Sequence, residues 1–321
     1  MLIYTLRRVA IMIPIIFLVS VVVFFLANLM PGDALTGKID PLNTDPAYIE
    51  EMREKLGYND PTYVQYLNWV SGFFQGDFGQ SFVHKMPASE LILSRLPNTI
   101  LLAVVAMIIT YIVSFLMGRY AGRHPYTLGD YGVQVLNYLA LAMPSFVAAL
   151  LLIYFVSFQL GWLPATGSIG SGVDPGTWKY IVSKVEHAIL PSLCLGLLPI
   201  ASYTQFLRND MIESSQKDFV RMARAKGTPE KKVYNKHILR NSVIPIVTLL
   251  GFDLAGIIGG SVIIETIFTY PGVGQLFVDS INNRDYTVVM AITMLLTVMT
   301  LIGNLLADIF YALVDPRIRL D

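Results

Sequence analysis

The chain has 321 residues, of which 54% are hydrophobic and 14% charged, with a mean hydropathy of +0.57. A water-facing surface cannot be built from that composition at this length, so a soluble globular enzyme is excluded and an integral membrane protein is required. The 23 basic and 23 acidic side chains cancel, and no nucleic-acid partner is implied.

A hydrocarbon core of about 30 Å takes about 20 apolar residues per spanning helix. The segments 9–30, 100–118, 132–158, 188–207, 243–264 and 288–311 meet that length, which predicts an all-α polytopic fold with six transmembrane helices. The first follows Arg7 and Arg8 like a secretory signal, but it runs to Met30 and meets Pro31, Gly32 and Asp33 instead of a small-x-small cleavage site, so it reads as a retained helix.

Residues 31–99 form an outer region. Asp45 and Pro46 open one predicted helix that Gly57 closes, and Asp60 and Pro61 open a second with Val64, Leu67, Val70 and Phe74 on one side. Both are expected on or near the outer membrane surface. Gly76 to Phe82 reads as a turn-rich connector. The core region, 100–311, has Pro144, Pro191 and Pro199 inside its spans, as Pro14 lies inside the first, where they permit kinks. Its second outer loop, Gly161–Glu186, is bounded by Trp162 and Trp178, residues that anchor at an interface. The third, Glu265–Thr287, contains Tyr270-Pro271-Gly272-Val273-Gly274 and Asn282-Asn283-Arg284-Asp285. Residues 312–321 are a tail.

Between the fourth and fifth spans lies a basic insert, 214–241. Gly227 sits where a helix ends, after Arg224 and Lys226, cations that suit the negative end of a helix dipole. Thr228 as N-cap, Pro229 at the first helical position and Glu230 in the first turn start another. The predicted product is a rigid elbow. With the N-terminus inside, inner segments hold 15 Lys and Arg and outer segments 8, which places both termini and the elbow in the cytoplasm. The insert's cations read as a topology signal and a docking surface near anionic headgroups.

Ionisable groups inside spans are costly and often functional. Asp253 in the fifth span is either a polar lining or gate of a translocation path or a packing contact. Asp308, near the inner end of the sixth, reads as a packing contact with partners at Asn304 or the interface. Gly256 and Gly260 leave one helix face nearly bare, for close intrachain packing or for a pore wall.

Catalytic and metal readings fail. The histidines (His84, His124, His187, His237) lie near or beyond membrane boundaries, H-E-x-x-H is absent, and Cys194 is the only cysteine, so it reads as a small packed residue. No G-x-x-x-x-G-K-[ST] occurs: Gly37-Lys38 is followed by Ile39. Uphill transport would take its energy from an ion gradient or another subunit. An ion-coupled secondary transporter using Asp253, or a scaffold without transport, are the other classes open to such a chain.

Ala223-Arg224-Ala225-Lys226-Gly227, followed by His237-Ile238-Leu239-Arg240-Asn241 and Ile244-Pro245, resembles the EAA loop in the peptide and nickel branch of binding-protein-dependent ABC importer permeases. Leu29-Met30-Pro31-Gly32-Asp33, Gly76-Asp77-Phe78-Gly79-Gln80-Ser81, Leu96-Pro97-Asn98-Thr99, Gly161-Trp162-Leu163-Pro164, Glu265-Thr266-Ile267-Phe268, Arg284-Asp285-Tyr286 and Asp315-Pro316-Arg317 extend the resemblance over essentially the whole chain. It departs where the general motif begins Glu-Ala-Ala: Arg221, Met222 and Ala223 stand there.

The resemblance implies a type I importer permease fold. It implies half of a peptide path across the cytoplasmic membrane and a coupling surface at Ala223, Arg224, Ala225, Lys226, Gly227, Thr228, Pro229 and Glu230. The implied partners are a homologous second permease, two ATPase subunits that bind ATP and Mg, and an extracellular solute-binding protein. This chain would need no cofactor. Nickel chelates or another solute share the same scaffold.

Overall fold

A computed structural model describes residues 2–29, 50–51, 54, 59–243, 246 and 261–314. Most of the predicted helix between Asp45 and Gly57 and most of the predicted span 243–264, with Asp253, Gly256 and Gly260, lie outside the described residues. Among the described residues the regular structure is helical except for a hairpin of two two-residue strands. Helix α1 is Leu2–Leu29 and α2 is Thr62–Phe74, starting after Pro61 as expected. Strands β1 (Gln80–Ser81) and β2 (Met86–Pro87) pair antiparallel, Ser81 opposite Met86. Next come α3 (Ala88–Arg123), α4 (Leu128–Ala142) and α5 (Ser145–Leu152), which widens into π-helical turns at Ile153–Gln159. Helix α6 is Trp178–Ser215, α7 is Asp218–Ala225 and α8 is Glu230–Lys232, continued by π-helical turns at Val233–Ile238. The set closes with α9 (Val273–Asn282) and α10 (Tyr286–Val314).

Helices α1, α3, α6 and α10 are each long and apolar enough to cross a membrane, and α4 with α5 makes a fifth candidate, bent by 111°. The expected continuous span 132–158 is thus broken. Pro144 has no N–H to donate to the α4 ladder, and Met143 before it is extended at φ −87°, ψ 123°, the conformation a following proline imposes. The segment expected to be shortest, 100–118, lies inside the 36-residue α3.

Helices α3 and α6 form the spine of the molecule. A Cβ added to Gly118 would come within 2.9 Å of Leu207 Cβ, one on Gly122 within 2.9 Å of Met211 Cβ, and one on Gly196 within 2.8 Å of Thr110 Oγ1. Without side chains at these places the backbones approach closely, and dispersion contacts replace the hydrophobic drive that lipid cannot supply. The outward side of α1 is apolar, with Ile13, Phe17 and Leu18 exposed, as befits a surface solvated by hydrocarbon. Arg8 Nε lies 3.1 Å from Asp308 Oδ2, so Asp308 ties α10 to α1 and does not depend on Asn304.

Three apolar clusters stack along this spine. Ala88, Leu91, Val273 and Ile292 fill the end away from the elbow, Leu102, Leu190, Cys194 and Phe268 the middle, and Leu207, Met211, Val220 and Ile238 the elbow end.

Candidate functional site at the elbow

Helix α6 overshoots any bilayer: its 38 residues span about 57 Å at 1.5 Å each. After Ser215 the chain turns at Lys217, which is extended, and enters α7 with Asp218 in the first turn. Val220 and Ala223 of α7 are buried against Leu207, Met211, Val233 and Ile238, while Arg221, Met222 and Arg224 face outward. One face of a two-turn helix is therefore committed to the bundle and the other is free.

The turn that follows is a Schellman motif. Gly227 N donates to Arg224 O at 2.9 Å and Thr228 N to Ala223 O at 3.2 Å, closing the last orphan carbonyls of α7. Gly227 has φ +73° with open space around its missing Cβ, so backbone conformation and not crowding calls for glycine there. The expected cap differs by one residue: Pro229, at φ −55° and ψ 139°, precedes Glu230, and the Thr228 side chain makes no cap. Proline's fixed φ suits either place, but its extended ψ leaves it outside the helix.

Two contacts brace the elbow. Arg224 Nη2 donates to Glu230 Oε1 at 2.7 Å and Arg224 Nε reaches Oε1 at 3.1 Å and Oε2 at 3.3 Å, across Gly227. On the far limb, Arg119 Nη2 donates to Asn235 Oδ1 at 3.3 Å and the Arg123 guanidinium sits 5.7 Å from the centre of the Tyr234 ring. The second contact fixes the elbow to the end of α3, and its apolar face, through Val220, Val233 and Ile238, packs on Leu207 and Met211 near the end of α6.

Next to it lies a pair that the sequence reading passed over because Asp130 falls just before the predicted span. Arg208 Nε and Nη2 donate to Asp130 Oδ1 and Oδ2 at 2.6 and 2.7 Å, and Tyr126 N donates to Oδ2 at 2.7 Å. Asp130 is fully buried, and Gln134 and Gln205 hydrogen-bond one turn further in. An acid two residues outside an apolar run, opposite a basic residue just outside another, was the available signal.

At the opposite end, motifs far apart in sequence meet. Thr99 Oγ1 donates to Glu265 Oε1 at 2.9 Å, and Gly274 N and Gln275 N donate to Oε2 at 2.7 and 3.1 Å. Asn98 Nδ2 donates to Pro271 O at 2.8 Å and Ser81 Oγ to Asp285 Oδ2 at 2.6 Å. The Glu265 carboxylate thus caps α9 from below. Burial pushes the Glu265 carboxyl above the usual carboxylate range, and it pushes the Tyr270 phenol up to about 12. Among the described residues no group of three or more His, Cys, Asp and Glu side chains is placed to hold a metal ion.

Fold and elbow together define a class: an all-α, multi-pass membrane protein with a stiff helix–turn–helix outside its bundle and no nucleotide-binding motif of its own. The chain belongs to the family described as binding-protein-dependent transport system inner membrane component, which matches residues 114–320, and the N-terminal region of such membrane components matches residues 1–103. It is similar to the oligopeptide transport system permease protein AppB of Bacillus subtilis, 43% identical over 98% of this chain and 99% of that protein. It is 37% identical to the dipeptide transport system permease protein DppB of Lactococcus lactis and 35% to the glutathione transport system permease protein GsiC of Escherichia coli, each over 99% of both chains. The chain is therefore a permease subunit of a binding-protein-dependent importer.

Proposed function

We propose that this permease carries peptides inward across the cytoplasmic membrane, with both termini and the elbow in the cytoplasm. It forms half of the path beside a homologous second permease, receives peptide from an extracellular binding protein, and is driven by two ATPase subunits that bind ATP and Mg. The observation that carries this reading is the elbow, 214–241. It is a glycine-locked turn braced by Arg224 and Glu230 and packed onto the ends of the two longest helices, in a chain whose relatives are named for oligopeptide and dipeptide transport.

A stiff lever suits the transmission of work done elsewhere. Ala223 to Glu230 form the contact with the ATPase, and closure of the ATPases moves the elbow and, through Gly118, Gly122 and their partners on α6, the spine. The path opens outward while ATP holds the ATPases together and inward after hydrolysis. No bond in the peptide is broken. Asp253, Gly256 and Gly260 are proposed as part of the path or its gate.

Reconstitution of the chain with its partner subunits in liposomes tests this. ATP-dependent uptake of a labelled peptide that requires the binding protein is expected. Peptide uptake by the chain alone, driven by an ion gradient without ATP, would overturn it in favour of a secondary transporter.

A further inference from the structure

Helix α2 divides two cavities of unlike chemistry. It is pinned across α1 where Ser20 Oγ and Tyr66 Oη share a hydrogen bond of 2.8 Å and the rings of Phe24 and Trp69 pack with centres 5.8 Å apart. On one side, an apolar cavity is lined by Ile13 and Phe17 of α1, Val70 and Phe73 of α2 and Met294 of α10. On the other, toward the C-terminal end of α1 and the first turn of α10, lies a second cavity of about 390 Å³. Its walls carry Asn68, Asp77, Gln80 and Thr287, and the rings of Phe24, Trp69 and Phe78 complete it. An amphipathic helix at a membrane surface turns its apolar side to hydrocarbon and its polar side to water, so the second cavity is on the water side.

The chain is shaped to hold that cavity. Gly76 and Gly79, at φ +80° and +82°, turn it back after α2, and Gly79 N donates to Asp77 Oδ1 at 2.9 Å, which fixes the carboxylate. A Cβ on Gly79 would come within 2.7 Å of Thr287 Cγ2, so a bare backbone there lets the connector close against α10. Asp77 Oδ2 and the side-chain amides of Asn68 and Gln80 have no hydrogen-bond partner among the described residues, and all three residues are exposed.

The inventory selects a ligand. No Lys, Arg or His lines the cavity, so an anion would meet Asp77 with nothing to offset it. An apolar ligand would strip water from the carboxylate and the amides without replacing it. A divalent ion needs more oxygen ligands of fixed geometry than one carboxylate supplies. A primary ammonium fits: the carboxylate accepts its hydrogens and aromatic rings attract the cation. The two amides, each donor and acceptor, match the peptide group that follows an amino terminus.

We propose that this cavity is a subsite for the free amino terminus of the peptide, which it holds at Asp77 among Phe24, Trp69 and Phe78 on delivery to the permease. The peptide and the outer side rest on the function proposed above, and the ammonium chemistry rests on the cavity.

The test measures binding of trialanine and of N-acetyl-trialanine to the full-length chain in nanodiscs by saturation-transfer NMR. Wild type is expected to bind trialanine more tightly than the acetylated form. Asp77→Asn keeps an oxygen for Gly79 N while removing the charge, so its melting temperature should hold. Its affinity for trialanine should fall about three- to tenfold and its affinity for the acetylated peptide should not change. Asn68→Asp, which adds a second carboxylate to the wall, should tighten trialanine binding. Equal affinities of wild type for the two peptides would overturn the proposal. So would an Asp77→Asn variant that binds trialanine as wild type does, and loss of binding-protein capture by that same variant would assign the cavity to a lysine of the binding protein. Liposome uptake separates the two readings: trialanine bound as expected by an assembled importer that takes up no peptide would sink the transport reading and leave the ammonium site standing.

Discussion

Arg224 and Glu230 face each other across Gly227 and form a forked ion pair, with the shortest contact 2.7 Å. Both side chains are substantially exposed, at 40% and 56%, so the pair is screened and contributes little to global stability, within about 1 kcal/mol. Its consequence is geometric: it sets the angle between α7 and α8. Arg224→Ala and Glu230→Ala should leave the thermal midpoint nearly unchanged yet lower peptide-coupled ATP hydrolysis several-fold. The swap Arg224→Glu with Glu230→Arg should restore part of it. Full coupling in both single variants, measured in proteoliposomes, would show that the fork is only decorative.

Gly227 makes a sharper demand. With φ at +73° and nothing within 4 Å of the place a methyl carbon would take, an L side chain there meets strain of about 1–2 kcal/mol and no clash. Gly227→Ala should therefore loosen the Schellman turn, and Gly227→Asp should uncouple transport, both without unfolding the bundle. Uptake and ATPase docking are the readouts; normal values for both in Gly227→Asp would remove the elbow from the mechanism.

Asp130 and Arg208 behave differently because they are buried. Removal of one partner strands the other, a loss of about 3–5 kcal/mol. Asp130→Ala should lower the melting temperature in detergent markedly, Asp130→Asn less, and Asp130→Leu paired with Arg208→Met should recover much of the loss. The double-mutant cycle gives the coupling directly; a coupling near zero would contradict the geometry.

Tight packing of α3 on α6 is tested at Gly118 and Gly122. Their added Cβ atoms would sit 2.9 Å from Leu207 and Met211 Cβ, so Gly118→Ala and Gly122→Ala should each cost about 1–3 kcal/mol by overpacking. Leucine at either place should prevent stable folding. Leu207→Ala with Gly118→Ala is expected to be milder than Gly118→Ala alone, as read from thermal melts.

Glu265 holds α9 to α3 through Thr99 and two backbone N–H groups. Glu265→Ala leaves those donors buried and unpaired, about 1–3 kcal/mol for each group affected. Glu265→Gln keeps one carbonyl for the two N–H groups and an amide for Thr99, so it should fall between wild type and Glu265→Ala. Similar melting temperatures for all three would mean that water reaches the site.

The elbow was legible because helix stops and starts are local: a glycine after basic residues, then proline and an acid, satisfy or remove backbone groups within one turn. The α4–α5 break was legible only as a permitted kink at Pro144, since the size of a bend depends on what the freed helix packs against. Gly118 and Gly122, spaced as G-x-x-x-G, carry the sequence signal for the α3–α6 contact, whereas Gly256 and Gly260, the small-residue face expected from the fifth span, lie outside the described residues.

By itself, the sequence determined that this chain lives in a membrane, which segments are apolar enough to cross, and where the rigid basic turn lies, because hydration and backbone hydrogen bonding act over a few residues. Only the tertiary structure decided the pairings of Asp130 with Arg208, Glu265 with Thr99, Ser81 with Asp285 and Asp308 with Arg8. A buried charge or hydroxyl needs some partner, but which one it finds depends on how helices distant in sequence come to lie side by side.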